Sequence, residues 1–126
     1  MTDELPLTAF QAGSRPRQVL ARIADKWTAM VLAALSTGAK RHNELRRRAG
    51  GISQKMLTQT LRSLERDGLV RRQVFAQVPP RVEYSLTPLG QSLSALLAAV
   101  IEWADAHCDE VEAARAAFDR RAGEGG

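Results

Sequence analysis

The sequence holds one cysteine, Cys108, and two histidines, His42 and His107, among its 126 residues. A lone cysteine excludes a disulfide framework within the chain and any cysteine-rich metal site. His107 beside Cys108 is too small a set for zinc, which takes four protein ligands in a structural site or three plus water in a catalytic one. Two histidines leave few conventional bases, and no Ser/His/Asp spacing, phosphate-cradling glycine loop or metal-ligand cluster accompanies them. The expectation is a protein that is not an enzyme and carries neither metal nor cofactor. No run of about eighteen apolar residues occurs, so no membrane partner is expected. The opening MTDELPLTAFQAGS also lacks the basic and then apolar regions of a secretion signal. These absences point to the cytoplasm.

What is present is charge, unevenly placed. The net charge is +4, yet residues 40–81 hold eleven Lys and Arg against three Asp and Glu, a balance of +8. Residues 82–126 hold three against eight, a balance of −5. A basic segment beside an acidic one suggests a polyanion, nucleic acid above all, as partner of the middle of the chain. At 44% hydrophobic, the chain suits one domain with a modest core.

Leu5, Leu7 and Phe10 suggest a loose helix or an arm that packs on a partner. Pro16 suits the first turn of a helix, and Val19, Leu20, Ile23, Ala24 and Trp27 recur at helical spacing. The pattern continues through Val31, Leu32 and Leu35, either as one long helix or as two pieces bent near Asp25. His42, Leu45 and Ala49 place a short apolar face on RHNELRRRAG, and Gly50-Gly51 ends it. Ser53 can cap the next helix. There Leu57, Leu61 and Leu64 share a narrow arc, with Lys55, Thr58, Gln59, Arg62 and Arg66 opposite. The leucine face must pack inward, which presents the other to solvent or to a ligand.

After Gly68 the period changes. LVRRQVF and RVEYSL read as strands, with Val82, Tyr84 and Leu86 alternating against Glu83 and Ser85. AQVPPR between them predicts a proline-stiffened loop tipped near Pro79, Pro80 and Arg81. Thr87-Pro88 gives a cap and a first-turn proline for a helix reaching about Arg121. Along it Leu89, Leu93, Leu96, Val100, Trp103, His107 and Val111 form an apolar seam longer than so small a domain can cover, which suggests a homodimer interface. The alternative is a break near His107 that folds the helix back on its own domain. The tail AGEGG has nothing apolar to tie it down.

Three helices, a β-hairpin and another helix is the order of a winged helix-turn-helix domain, mostly α with a β-hairpin wing. The expected division is an N-terminal arm at 1–13, a DNA-binding core at 14–87, a C-terminal dimerisation helix or helices at 88–121 and a disordered tail at 122–126. In that frame Ser53, Gln54, Lys55, Thr58, Gln59 and Arg62 belong to a helix in the major groove, where Gln and Arg can bond base edges and Thr58 can meet a thymine methyl. Lys40, Arg41, Arg71, Arg72 and Arg81 are expected along the phosphates or at the wing. Arg46, Arg47 and Arg48 cover most of a helix's circumference and cannot all face one ligand. Trp27, Met30 and Trp103 would line a pocket for a small aromatic effector if the fold brings them together.

These motifs resemble one family closely, the HxlR-type transcriptional regulators related to the MarR group. The resemblance runs through Ile23 to Trp27, NELRR from Asn43 to Arg47, GISQKMLTQTLRSLERDGLVRR from Gly51 to Arg72 and VPPRVEYSLTPLG from Val78 to Gly90, and covers residues 14 to 107. It implies a DNA-binding homodimer on a palindromic operator, most often a repressor, dimerised through its N- and C-terminal helices. The matching recognition helix is Ser53 to Arg66 and the matching wing Val74 to Val82. Redox-responsive members carry a Cys-Pro pair where this chain has Ser14-Arg15, which puts the usual thiol switch in doubt. Many members have an aromatic where His42 stands, which implies a packed residue at the edge of the core. Cys108 lies beside the seam, where a disulfide between protomers is one reading and a buried or half-buried, unreactive thiol the other. The rival to DNA readout is a winged-helix module that binds only protein.

Overall fold

The computed structural model describes residues 11–125, in two compact units: one ends at Ser94 and the other begins at Ala95. Among the described residues the order is α1 (Arg15–Ile23), α2 (Lys26–Leu35), α3 (His42–Arg48), α4 (Gln54–Arg66), β1 (Val70–Phe75), β2 (Arg81–Leu86) and α5 (Pro88–Glu124). The expected winged helix-turn-helix order is therefore present. Leu5, Leu7, Phe10 and most of the expected arm lie outside the described residues.

Each helix begins where a side chain captures amides that the first turn leaves unpaired. Ser14 accepts from the Arg17 amide at 3.2 Å, with Pro16 in the first turn. Asp25 accepts from the amides of Trp27 at 2.8 Å and Thr28 at 3.3 Å. That carboxylate decides between the two readings of residues 15–35: α1 ends at Ile23 and α2 restarts at Lys26. α1 buries no residue, whereas α2 buries Thr28, Val31, Leu32 and Leu35 and is the central helix of the first unit. In α3 the Glu44 carboxylate reaches back to the Arg41 amide at 3.1 Å.

Ser53 caps α4 by accepting from the Met56 amide at 3.0 Å. The other end of α4 closes on Gly68, whose φ of +75° suits a residue without a Cβ. The Leu69 amide donates to the Leu64 carbonyl at 2.9 Å and the Gly68 amide to the Glu65 carbonyl at 3.0 Å, a Schellman closure. Leu69 and Leu64 are both buried, as that closure favours.

β1 and β2 pair antiparallel, from Val70 opposite Leu86 to Phe75 opposite Arg81. Lys40 adds a one-residue bridge to β2, its amide donating to the Tyr84 carbonyl at 2.9 Å and its carbonyl accepting from the Tyr84 amide at 2.8 Å. The alternation expected along β2 is not expressed as burial, since all six residues are half-buried. Long side chains explain this on the polar face: Arg81 lies over the Phe75 ring at 4.1 Å and meets Glu83 at 3.3 Å.

The core is built from Val31, Leu32, Leu45, Leu57, Leu61, Leu64 and Val70, all at most 2% exposed. α5 starts against it. The Thr87 hydroxyl donates to the Gly68 carbonyl at 2.6 Å and accepts from the Gly90 amide at 3.0 Å, while the Thr87 amide donates to the Leu69 carbonyl at 3.1 Å. The Ser94 hydroxyl, buried, lies 3.4 Å from the Leu32 carbonyl it can donate to. α5 then continues unbroken through the second unit to Glu124, so there is no break near His107 and the helix takes in residues 122–124 of the expected tail. Among the described residues no helix is long and apolar enough to cross a membrane.

Gly90 has no room for a side chain, since a Cβ there would run into the Leu69 carbonyl, which is backbone and cannot swing aside. Gly123 has open space. Gly90→Ala is expected to destabilise the protein by about 3 kcal/mol, a fall of roughly 10 °C in Tm. Gly123→Ala should leave Tm unchanged or slightly raised, and thermal melts of both variants check the contrast.

Candidate nucleic-acid interface

α4 turns about 100° per residue, which separates its two faces cleanly. Leu57, Thr60, Leu61 and Leu64 are buried. Gln54, Lys55, Thr58, Gln59 and Arg62 are all exposed, over an arc of about 140° with Thr58 and Arg62 near its middle. The helix is thus held by its leucines and offers amides, a hydroxyl, an ammonium and a guanidinium on one outward strip. Ser53, at its start, is exposed with its hydroxyl oxygen occupied in capping. Met56, absent from the expected site, is 39% exposed at the flank of the strip. Its sequence signal is its place outside the leucine arc.

α3 lies beside α4 through the tight turn containing Gly51, whose φ is +90°. Asn43, Arg46 and Arg47 line one shallow recess on α3. This divides the three successive arginines, because Arg48 takes no part in that recess. Asn43 was not among the expected site residues; only its helical spacing from Arg46 and Arg47 hints at it.

His42 is half-buried, and its Nε2 lies 3.2 Å from the Thr58 hydroxyl. It is therefore a bridge from α3 to the outward strip of α4 as well as an edge-of-core residue. Burial first, and the Arg46 charge second, hold its pKa below the usual 6.5. The ring is accordingly neutral at neutral pH. Because the folded state disfavours the proton, acidification through the ordinary histidine range works against the folded arrangement and a rise in pH favours it.

Lys40 and Arg81 are engaged within the protein. Lys40 is 7% exposed, and its ammonium donates to the Thr37 hydroxyl at 3.0 Å and the Gly38 carbonyl at 3.1 Å. Pairing of its backbone with Tyr84 accompanies this inward placement, and its ammonium is held within its own loop. Arg81 opens β2 and does not sit at the tip of the wing; Phe75 and Glu83 engage its guanidinium. Arg41, Arg71 and Arg72 are exposed as expected, and the loop 76–80 is exposed throughout, with Val78 fully so.

In the second unit Leu96, Val100, Trp103 and Phe118 are each at least 58% exposed, and His107 and Val111 are half-buried. Leu89 and Leu93, in the first unit, are exposed and half-buried. Cys108 is exposed, contrary to the buried or half-buried reading, with Sγ 3.6 Å from the Asp105 carbonyl. Of the expected effector wall, Trp27 and Met30 stand in the first unit and Trp103 in the second. The Lys26 ammonium lies 4.7 Å from the centre of the Trp27 ring, and His107 stacks on Trp103 at 4.8 Å, so one face of each indole is already covered. Among the described residues no group of three or more His, Cys, Asp or Glu could hold a metal ion.

Comparison with known proteins agrees with this geometry. Residues 22–112 match the family described as HxlR-like helix-turn-helix. The uncharacterized HTH-type transcriptional regulator YtfH of Escherichia coli (strain K12) is 46% identical over 99 residues, 79% of each chain. Among solved structures, the putative transcriptional regulator ytfH from Salmonella typhimurium aligns with a TM-score of 0.79 at 42% identity, over 84% of this chain and 95% of that one. The redox regulator HypR in its reduced form aligns with a TM-score of 0.73 at 42% identity, over 79% and 99%. With the leucine-backed strip of α4, the hairpin after it and a family match across most of its length, this chain belongs to the HxlR-like helix-turn-helix family of transcriptional regulators.

Proposed function

We propose that the protein binds a palindromic double-stranded operator as a homodimer and represses transcription from it. The observation that carries this reading is the outward strip of α4: five polar or basic side chains, all exposed, on a helix whose opposite side is buried leucine and threonine. Gln54, Gln59 and Arg62 bond base edges in the major groove, Thr58 makes an apolar contact, and Lys55 takes a phosphate. Arg41, Arg71 and Arg72 neutralise the flanking backbone, and Asn43, Arg46 and Arg47 add contacts from α3. A module that binds only protein gives no reason for Gln54, Gln59 and Arg62 to stand together on one exposed face, and its binding would not fall steeply with salt as counterion release requires.

Dimerisation supplies the second recognition helix that a palindrome needs, placed about 34 Å from the first. The exposed apolar residues of α5, Leu96, Val100 and Trp103, support the interface, as do Val19 at 60% and Leu20 at 50% exposure on α1. A small planar effector would use the uncovered face of Trp27 or of Trp103.

Footprinting on DNA flanking the gene is expected to show a protected palindrome. Arg62→Ala should weaken operator binding about 10- to 100-fold, the loss of one bidentate base contact, with a smaller loss on random duplex. Equal losses on the two DNAs would reduce Arg62 to a phosphate contact. Lys40→Ala should lower Tm and leave the salt dependence of binding unchanged, whereas Arg72→Ala should make that dependence shallower. Val100→Glu should convert the dimer to monomers in sedimentation equilibrium and weaken the operator complex; a wild-type monomer at micromolar concentration would sink the dimer.

A further inference from the structure

Thr58 stands near the middle of the outward strip of α4, yet its hydroxyl is already engaged, 3.2 Å from Nε2 of His42 at the start of α3. The support behind His42 is firm. Glu44 closes the first turn of α3 on the Arg41 amide, and Leu45 anchors that helix in the core at 0% exposure. In a helix a threonine otherwise divides between two rotamers, because its hydroxyl can turn back to a carbonyl of the preceding turn. The bond to His42 removes that choice. A neutral imidazole nitrogen either donates or accepts, and a hydroxyl can answer both. With the oxygen drawn towards α3, the group left for a base edge is the Thr58 methyl, and a threonine methyl in the major groove reads the 5-methyl of thymine.

Resting on the DNA-reading role of α4 above, we propose that His42 is a specificity-determining positioning residue: by tethering the Thr58 hydroxyl it commits the Thr58 methyl to a thymine, at one base pair in each half-site. Without the tether Thr58 is free to divide between its helical rotamers, so its methyl is no longer held towards one base edge and discrimination at that pair relaxes. His42 does this without touching DNA itself.

The test is selection of binding sites from a random duplex pool at pH 8 by the full-length wild type, His42→Phe, His42→Gln and Thr58→Ser. Affinities are then measured on the selected site with each thymine replaced in turn by uracil. The wild type should lose about fourfold at one position per half-site, the worth of one buried methyl. His42→Phe keeps a ring to pack but drops the hydrogen bond, and should select the same palindrome with that position degenerate. His42→Gln loses the ring but can reach Thr58 with its amide, and should restore the preference. Thr58→Ser keeps the hydroxyl without the methyl and should abolish the uracil effect even if a His42 variant fails to fold, which thermal melts would reveal. A preference kept by His42→Phe and lost by His42→Gln would mean that the ring only packs, and would overturn the proposal. One palindrome, selected alike by all four proteins, would overturn the role of His42 while leaving DNA readout by α4 intact. Failure of the wild type to enrich any sequence would overturn both.

Discussion

The meeting of Gly68 and Leu69 with Thr87 and Gly90 is the contact on which the rest of the first unit depends. Four elements end or begin there: α4 closes, β1 starts, β2 finishes and α5 departs. Two carbonyls, those of Gly68 and Leu69, accept the hydroxyl and amide of Thr87, and the missing side chain of Gly90 lets α5 lie directly on Leu69. Left unpaired, the carbonyl of buried Leu69 would oppose folding. The pairing of both carbonyls welds α4 to the hairpin that follows it and to the base of α5. The outward strip of α4 and the wing therefore share one support.

Much of this was legible in the sequence because its determinants are local. Ser53, Gly68, Thr87 and Pro88 announce helix ends through capping rules that need only a few neighbours, and the leucine arc of α4 needs only the period of a helix. The strands of the wing were legible in the same way, from the change of period after Gly68. What escaped was non-local or evenly balanced. Both a continuous helix and a capped break satisfy the periodicity around Asp25, and only the geometry of its carboxylate separates them. Lys40 reads as a surface cation until its pairing with Tyr84 pulls it inside. Arg81 reads as a loop-tip residue until the register sets it opposite Phe75. Cys108 is exposed on a helix that continues past His107, where the sequence allowed a break.

The basic middle of the chain also shows that formal charge and available charge differ. Of its eleven Lys and Arg, Lys40 is spent on its own loop and Arg81 on a ring and a carboxylate within the hairpin. Arg22, outside that segment, meets Asp67 at 3.0 Å and neutralises one of the few acids in it, tying α1 to the end of α4. An exposed pair of this kind contributes little to stability. Its effect is on field: it removes a negative charge from the edge of the surface where Arg62 and Arg66 stand.

The closures at the two ends of α4 have a consequence for descent as well as for folding. Ser53 and Gly68 hold the helix to thirteen residues, and its leucines settle how it is rolled about its axis. Neither device involves Gln54, Lys55, Gln59 or Arg62. Those four positions take no part in frame, length or roll, so substitutions there alter the outward surface and leave the scaffold in place. Thr58 is the exception, because its hydroxyl is bonded to His42 on another helix. A lineage that rewrites Thr58 must accommodate α3 as well, and the two residues should drift as a pair.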